Sequence, residues 1–109
     1  MMTIDALYLE NDNLIILKGL KDSVAAVYLD TATVQLTVLD PAGVEVDGVE
    51  WPQTMDYVSA SEGEYRYVLP LEVVLEDYIL YTLKITVSAP LRGEFLKIVR
   101  AQGRYPVGT

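Results

Sequence analysis

Between Tyr78 and Val87 the chain alternates without a slip. Ile79, Tyr81, Leu83, Ile85 and Val87 fall on one side, and Leu80, Thr82, Lys84, Thr86 and Ser88 on the other. A period of two is the signature of a strand, because successive side chains leave a pleated backbone on opposite faces. One side is wholly apolar and the other nearly all polar. That contrast predicts a sheet with one dry and one wet face, and so a second layer to cover the dry one.

The same period recurs elsewhere. Glu62-Gly63 is a turn signal that feeds Glu64 to Leu69, and Pro70 stops the run. Tyr65, Tyr67 and Leu69 share one face; Glu64, Arg66 and Val68 share the other. Thr31 to Leu39 alternates Val34, Leu36 and Val38 with Thr33, Gln35 and Thr37, a β-branched set suited to a half-buried sheet. Asp40-Pro41-Ala42-Gly43 follows, with proline second and glycine fourth as in a type I turn. Val44 to Val46 is expected to return as the second arm of a hairpin and, past Asp47-Gly48, to continue through Val49 to Trp51, where Pro52 ends it. Met55 to Val58 resumes briefly. Leu14 to Leu17 reads as an early strand, and Asn11-Asp12-Asn13 and Lys21-Asp22-Ser23 as turns. Val24 to Leu29 is apolar with no clear register. Met1 to Leu9 fits either a helical face or an edge strand over Leu7 to Leu9. Leu71 to Asp77 is a connection that allows a helical turn. Ala89 to Gly93 makes the last turn, and Glu94 to Val99 the last strand, with apolar residues on both faces.

Turn signals every 8–12 residues between short strands predict an all-β fold. The expected form is an immunoglobulin-like antiparallel β-sandwich of about seven strands. With no cysteine in the chain, it has no disulfide. Residues 1–101 are expected to form one domain, with 1–13 as an N-terminal arm or edge segment and 102–109 as an irregular C-terminal tail. The candidate core anchors are Trp51, Tyr65, Tyr67 and Tyr81. Buried tyrosine brings a large apolar body whose hydroxyl needs a partner, and Tyr65, after Gly63, is the candidate to tie down a loop.

Composition narrows the chemistry. There is no histidine, the commonest general base and transition-metal ligand, and no thiol. Ser59, Ser61 and Thr82 therefore lack an evident base. The sixteen carboxylates show no calcium-loop spacing, and no glycine-rich phosphate loop is present. The expectation is a non-enzymatic protein with no metal, no cofactor and no small-molecule substrate. No signal-peptide pattern precedes the first strand, and no apolar stretch approaches the roughly 20 residues that span a bilayer. The net charge of −8 argues against nucleic acid and anionic membrane as partners.

That charge is uneven. Five bases and one acid lie from Lys84 onward, against three bases and fifteen acids before it. One reading is an ordinary solvated surface; the other is a polarised particle whose basic edge meets an acidic neighbour. The second makes Arg92, Lys97, Arg100, Arg104 and Tyr105 candidate interface residues, Tyr105 being an aromatic beside an arginine in an irregular segment.

The order of motifs from Val34 to Ala101 resembles a group of small proteins of tailed bacteriophages and prophages. A strand ends in an Asp-x-x-Gly turn (Asp40 to Gly43). A Val-x-Gly-hydrophobic stretch with Trp-Pro follows (Val46 to Pro52), then Met55 and Tyr57-Val58. Gly-x-Tyr leading to Leu-Pro comes next (Gly63 to Tyr65, Leu69-Pro70), and then Tyr-x-hydrophobic-x-hydrophobic (Tyr81 to Ile85). Where those sequences often have glycine before the long strand, this chain has Glu76-Asp77-Tyr78. The resemblance implies an immunoglobulin-like structural module of a virion, found in head–tail connector or neck, tail or capsid. Such a module is made in the bacterial cytoplasm and binds other virion proteins and copies of itself. No catalytic residue carries over. The alternative is a carbohydrate- or host-surface-binding module, for which Trp51 is the one tryptophan available as a sugar platform.

Overall fold

The computed structural model describes residues 6–9, 12–22, 27–29, 31–89 and 92–102. Among them the chain is all-β, with no helix and ten strand segments. A five-stranded sheet has the order β1-β10-β9-β5-β6, built from β1 (Ala6–Tyr8), β10 (Gly93–Gln102), β9 (Leu80–Ala89), β5 (Thr33–Leu39) and β6 (Gln53–Thr54). A three-stranded sheet, β2-β8-β7, contains β2 (Asn13–Leu17), β8 (Tyr65–Leu69) and β7 (Asp56–Tyr57). A two-stranded ribbon joins β3 (Lys21–Asp22) to β4 (Val27–Tyr28).

The two larger sheets bury their apolar faces in one cluster. Val34, Leu36 and Val38 of β5 and Leu83 and Ile85 of β9 are fully shielded from solvent. Register places Leu36 beside Ile85 and Val38 beside Leu83. Against them stand Ile15 and Leu17 of β2 and Tyr65 and Leu69 of β8. Each such side chain contributes about 1.5–3 kcal/mol of burial. The smallest extent of the molecule, 19 Å, is what two sheets about 10 Å apart with their outward side chains produce.

Several sequence expectations are corrected. The five-stranded sheet is mixed rather than antiparallel, because β1 pairs parallel to β10, Ala6 with Arg100 and Tyr8 with Gln102. Asn13 fixes this arrangement: its amide accepts the Tyr8 N–H at 2.9 Å and donates to the Tyr8 carbonyl at 3.1 Å. Lys21-Asp22 is a strand rather than a turn, pairing with Val27-Tyr28. The second arm of the hairpin is reduced to a bridge between Leu39 and Glu45 and a Val46-to-Val38 hydrogen bond of 3.1 Å. Val49 to Trp51 is not a strand, and the Trp51–Pro52 peptide is cis. The brief strand expected over Met55 to Val58 is β7 in the small sheet, and an unexpected β6 precedes it in the large one; buried Met55 is the crossing point. The 71–77 connection contains turns and no helical turn. The last strand runs on to Gln102, past its expected end at Val99.

The Asp40 turn follows its expectation closely. The Gly43 N–H donates to the Asp40 carbonyl at 2.9 Å, and the Asp40 carboxylate accepts the N–H groups of Ala42 and Val44, each at 2.9 Å. Gly43 has φ +82°, the left-handed conformation that lets a type I turn close a hairpin.

Candidate interaction surface

Strands β9 and β10 run antiparallel with Val99 opposite Tyr81 and Leu96 opposite Lys84. Odd-numbered residues of β10 therefore face the core, and even-numbered ones face outward. The core face grades along the strand: Val99 and Ala101 are buried, Phe95 and Lys97 half-buried. The outward face carries Glu94, Leu96, Ile98 and Arg100. Leu96 is 62% exposed and Ile98 65%. Leu80, 52% exposed, stands opposite Arg100. Lys84 and Glu94 form an ion pair at 3.7 Å, a contact of small net value at the surface. The result is an open apolar strip of Leu80, Ile98 and Leu96 between Arg100 at one end and the Lys84–Glu94 pair at the other.

The sequence-predicted bases do not form one patch. Arg92 is exposed just before β10, and Arg100 is exposed on the outward face. Lys97 lies on the opposite face, paired in register with core residue Leu83. Arg104 and Tyr105 lie outside the described residues. What the sequence reading missed is the apolar part of this surface. The two-faced character of the last strand is visible in the sequence, but Leu80 falls on a face of its own strand that is otherwise polar.

The β10 edge adds a second feature. The Ala101 N–H donates to the Ile79 carbonyl at 2.9 Å, so the backbone groups of Val99, Lys97 and Phe95 also point to β9. Those of Glu94, Leu96 and Ile98 point the other way. Among the described residues β1 pairs with Arg100 to Gln102 on that side of the strand.

The four aromatic anchors have separate tasks. Tyr65, 1% exposed, donates its hydroxyl proton to the Leu29 carbonyl at 2.9 Å and accepts the Ala32 N–H at 3.0 Å. It thus ties the segment after β4 to the start of β5. Its ring lies 5.5 Å from that of Tyr57. Neighbouring Gly63, at φ +68°, sits against the backbone of Leu20, where a Cβ would come within 2.7 Å of the Leu20 nitrogen. The Tyr81 hydroxyl accepts the Glu76 N–H at 2.8 Å and so holds the 71–77 connection. Trp51 is half-buried against the core, and its indole N–H donates to the Val46 carbonyl at 2.7 Å. Tyr67 is half-buried, and burial pushes its phenol above the ordinary value. On the ribbon, the Glu62 side chain raises the Tyr28 phenol, first by hydrogen bonding and then by its charge, while the Lys21 ammonium lies 5.0 Å above the Tyr28 ring.

Among the described residues no group of three or more histidine, cysteine, aspartate or glutamate side chains is placed to hold a metal ion. Comparison with family models, with curated proteins and with solved structures gives no match.

Proposed function

We propose that this chain is an immunoglobulin-like structural module of a tailed-bacteriophage virion, acting in a connector, tail or capsid-associated position through protein–protein contacts. The observation that carries the reading is the open Leu80, Ile98 and Leu96 strip with Arg100 and Lys84 at its ends. Exposed apolar side chains grouped on a flat sheet and rimmed by charge have the composition of a protein interface, apolar at the centre and polar at the rim. Two sheets sharing one core, with no disulfide, are consistent with an immunoglobulin-like sandwich. The ordered motifs from Asp40 to Ile85 supply the resemblance to phage modules. Of the candidate interface residues, Arg100 flanks the strip directly, Arg92 is exposed just before β10, and Lys97 lies on the other face of the strand. The tryptophan needed for a sugar platform has its indole N–H engaged by Val46, which favours the protein-contact reading over carbohydrate binding.

Quantitative mass spectrometry of purified virions, separated into heads and tails, tests this reading. Many copies in one fraction are expected, and incorporation is expected to fall when Leu96→Asp and Ile98→Asp are introduced together. Absence of the protein from virions overturns the proposal.

A further inference from the structure

The strands of the five-stranded sheet place three charged residues on its outward face: Lys84 of β9, and Glu94 and Arg100 of β10. Those strands thus bring one of the chain's sixteen carboxylates to this face, although the net charge is −8. Two copies that meet through it bring few like charges together.

The charges on β10 are also ordered. Its outward residues run Glu94, Leu96, Ile98 and Arg100: an anion, two exposed apolar side chains and a cation. Six residue steps separate the two charges, about 20 Å along the strand. The ion pairs among the described residues are Arg66–Glu64 and Lys84–Glu94, and Arg100 is in neither. The Glu94 side chain is 52% exposed beside Lys84, so its carboxylate can accept a second cation.

This row is complementary to its own reverse. A two-fold axis in the plane of contact, crossing β10 at Lys97, sets the β10 of a second copy antiparallel above the first. Glu94 then faces Arg100 of the other copy and Leu96 faces its Ile98, and symmetry repeats each contact. An axis along the strand would instead set Glu94 on Glu94 and Arg100 on Arg100, and like charges facing each other in an interface are costly.

We propose that two copies of this chain pair face to face through β9 and β10 about such an axis, with their β10 strands antiparallel. This rests on reading the Leu80, Ile98 and Leu96 strip as a protein interface, and it names the partner: the same strip on a second copy. Face-to-face sheets keep their strands within about 30° of each other, about 10 Å apart. Contact is then densest where the strands cross, at Leu96 and Ile98. The broad face of the molecule, 44 by 32 Å, has room for the roughly 800 Å² per partner that a stable interface buries.

Sedimentation equilibrium on the full chain tests this. The expected mass is twice that of one chain. Glu94→Arg and Arg100→Glu, each made alone, set like charges opposite each other at both ends, and each is expected to weaken the pair about tenfold or more. Both substitutions in one chain restore opposite charges and are expected to recover most of the affinity. All three variants change exposed side chains, so their melting temperatures are expected to match the parent chain under conditions where all are monomeric. A chain that stays monomeric up to about 1 mM, where even weak association is visible, overturns the pairing. The virion reading then stands or falls separately, on incorporation through the same strip with another virion protein as its partner. A dimer that both single substitutions leave intact, or that the double substitution does not restore, overturns this two-fold seating.

Discussion

Tyr65 joins three parts of the molecule through one hydroxyl. Replacing it with phenylalanine keeps the ring and leaves the Leu29 carbonyl and the Ala32 N–H without that partner, so Tyr65→Phe is expected to cost about 1–3 kcal/mol in a denaturant titration. Tyr78 presents the opposite situation. It has φ +65°, a conformation that costs a residue with a Cβ about 1–2 kcal/mol, and its side chain is 74% exposed. It stands two residues before β9. Tyr78→Gly is therefore expected to raise stability by about 1 kcal/mol, the relief of strain exceeding the entropic cost of glycine; a lower unfolding midpoint would refute it. Tyr67 has a pH consequence. Its phenol is raised above its ordinary value by burial, so the folded state holds its proton where the unfolded state releases it. The stability this contributes is complete below the unfolded value and declines as pH rises through the folded one. Tyr67→Phe is expected to flatten the alkaline part of the stability profile.

Strands differ in how they meet their edges. β10 carries the exposed Leu96 and Ile98 on its outward face, apolar surface that invites association. Lys97 sits among them on the core side, where a desolvated ammonium would penalise an unplanned partner. Lys97→Val is expected to increase self-association, seen as a larger sedimentation coefficient at the same concentration. Legibility also varied by element. β5, β8 and β9 were readable because each alternates over five residues or more, and period two is a strong signal at that length. The ribbon of β3 and β4 has two residues per strand, too short for any period. Only Met55 to Val58 reads as a strand after Pro52, because Gln53-Thr54 is too short and polar to announce β6 and nothing in Met55 itself marks a change of sheet. The parallel pairing of β1 was invisible, since a short apolar run does not state its partner. The apolar strip was half legible: Leu96 and Ile98 could be seen facing away from Phe95 and Val99, but their adjacency to Leu80 required the register.

At the scale of the whole molecule, charge is the dominant imbalance. A net charge of −8 makes the compact state repel itself. Raising salt shortens the Debye length from about 30 Å at 0.01 M to about 8 Å at 0.15 M. The melting temperature is expected to rise over that range; a fall would mean that attractive pairs such as Lys84–Glu94 outweigh the repulsion. The pairing of Ala6 with Arg100 bears on how the protein is made. A ribosome delivers β1 long before its partner strand, and closing so long a loop carries an entropic cost. Leu7 must wait until Ala101 emerges to neighbour it. Until then the nascent chain carries an apolar strand without its partner in the large sheet.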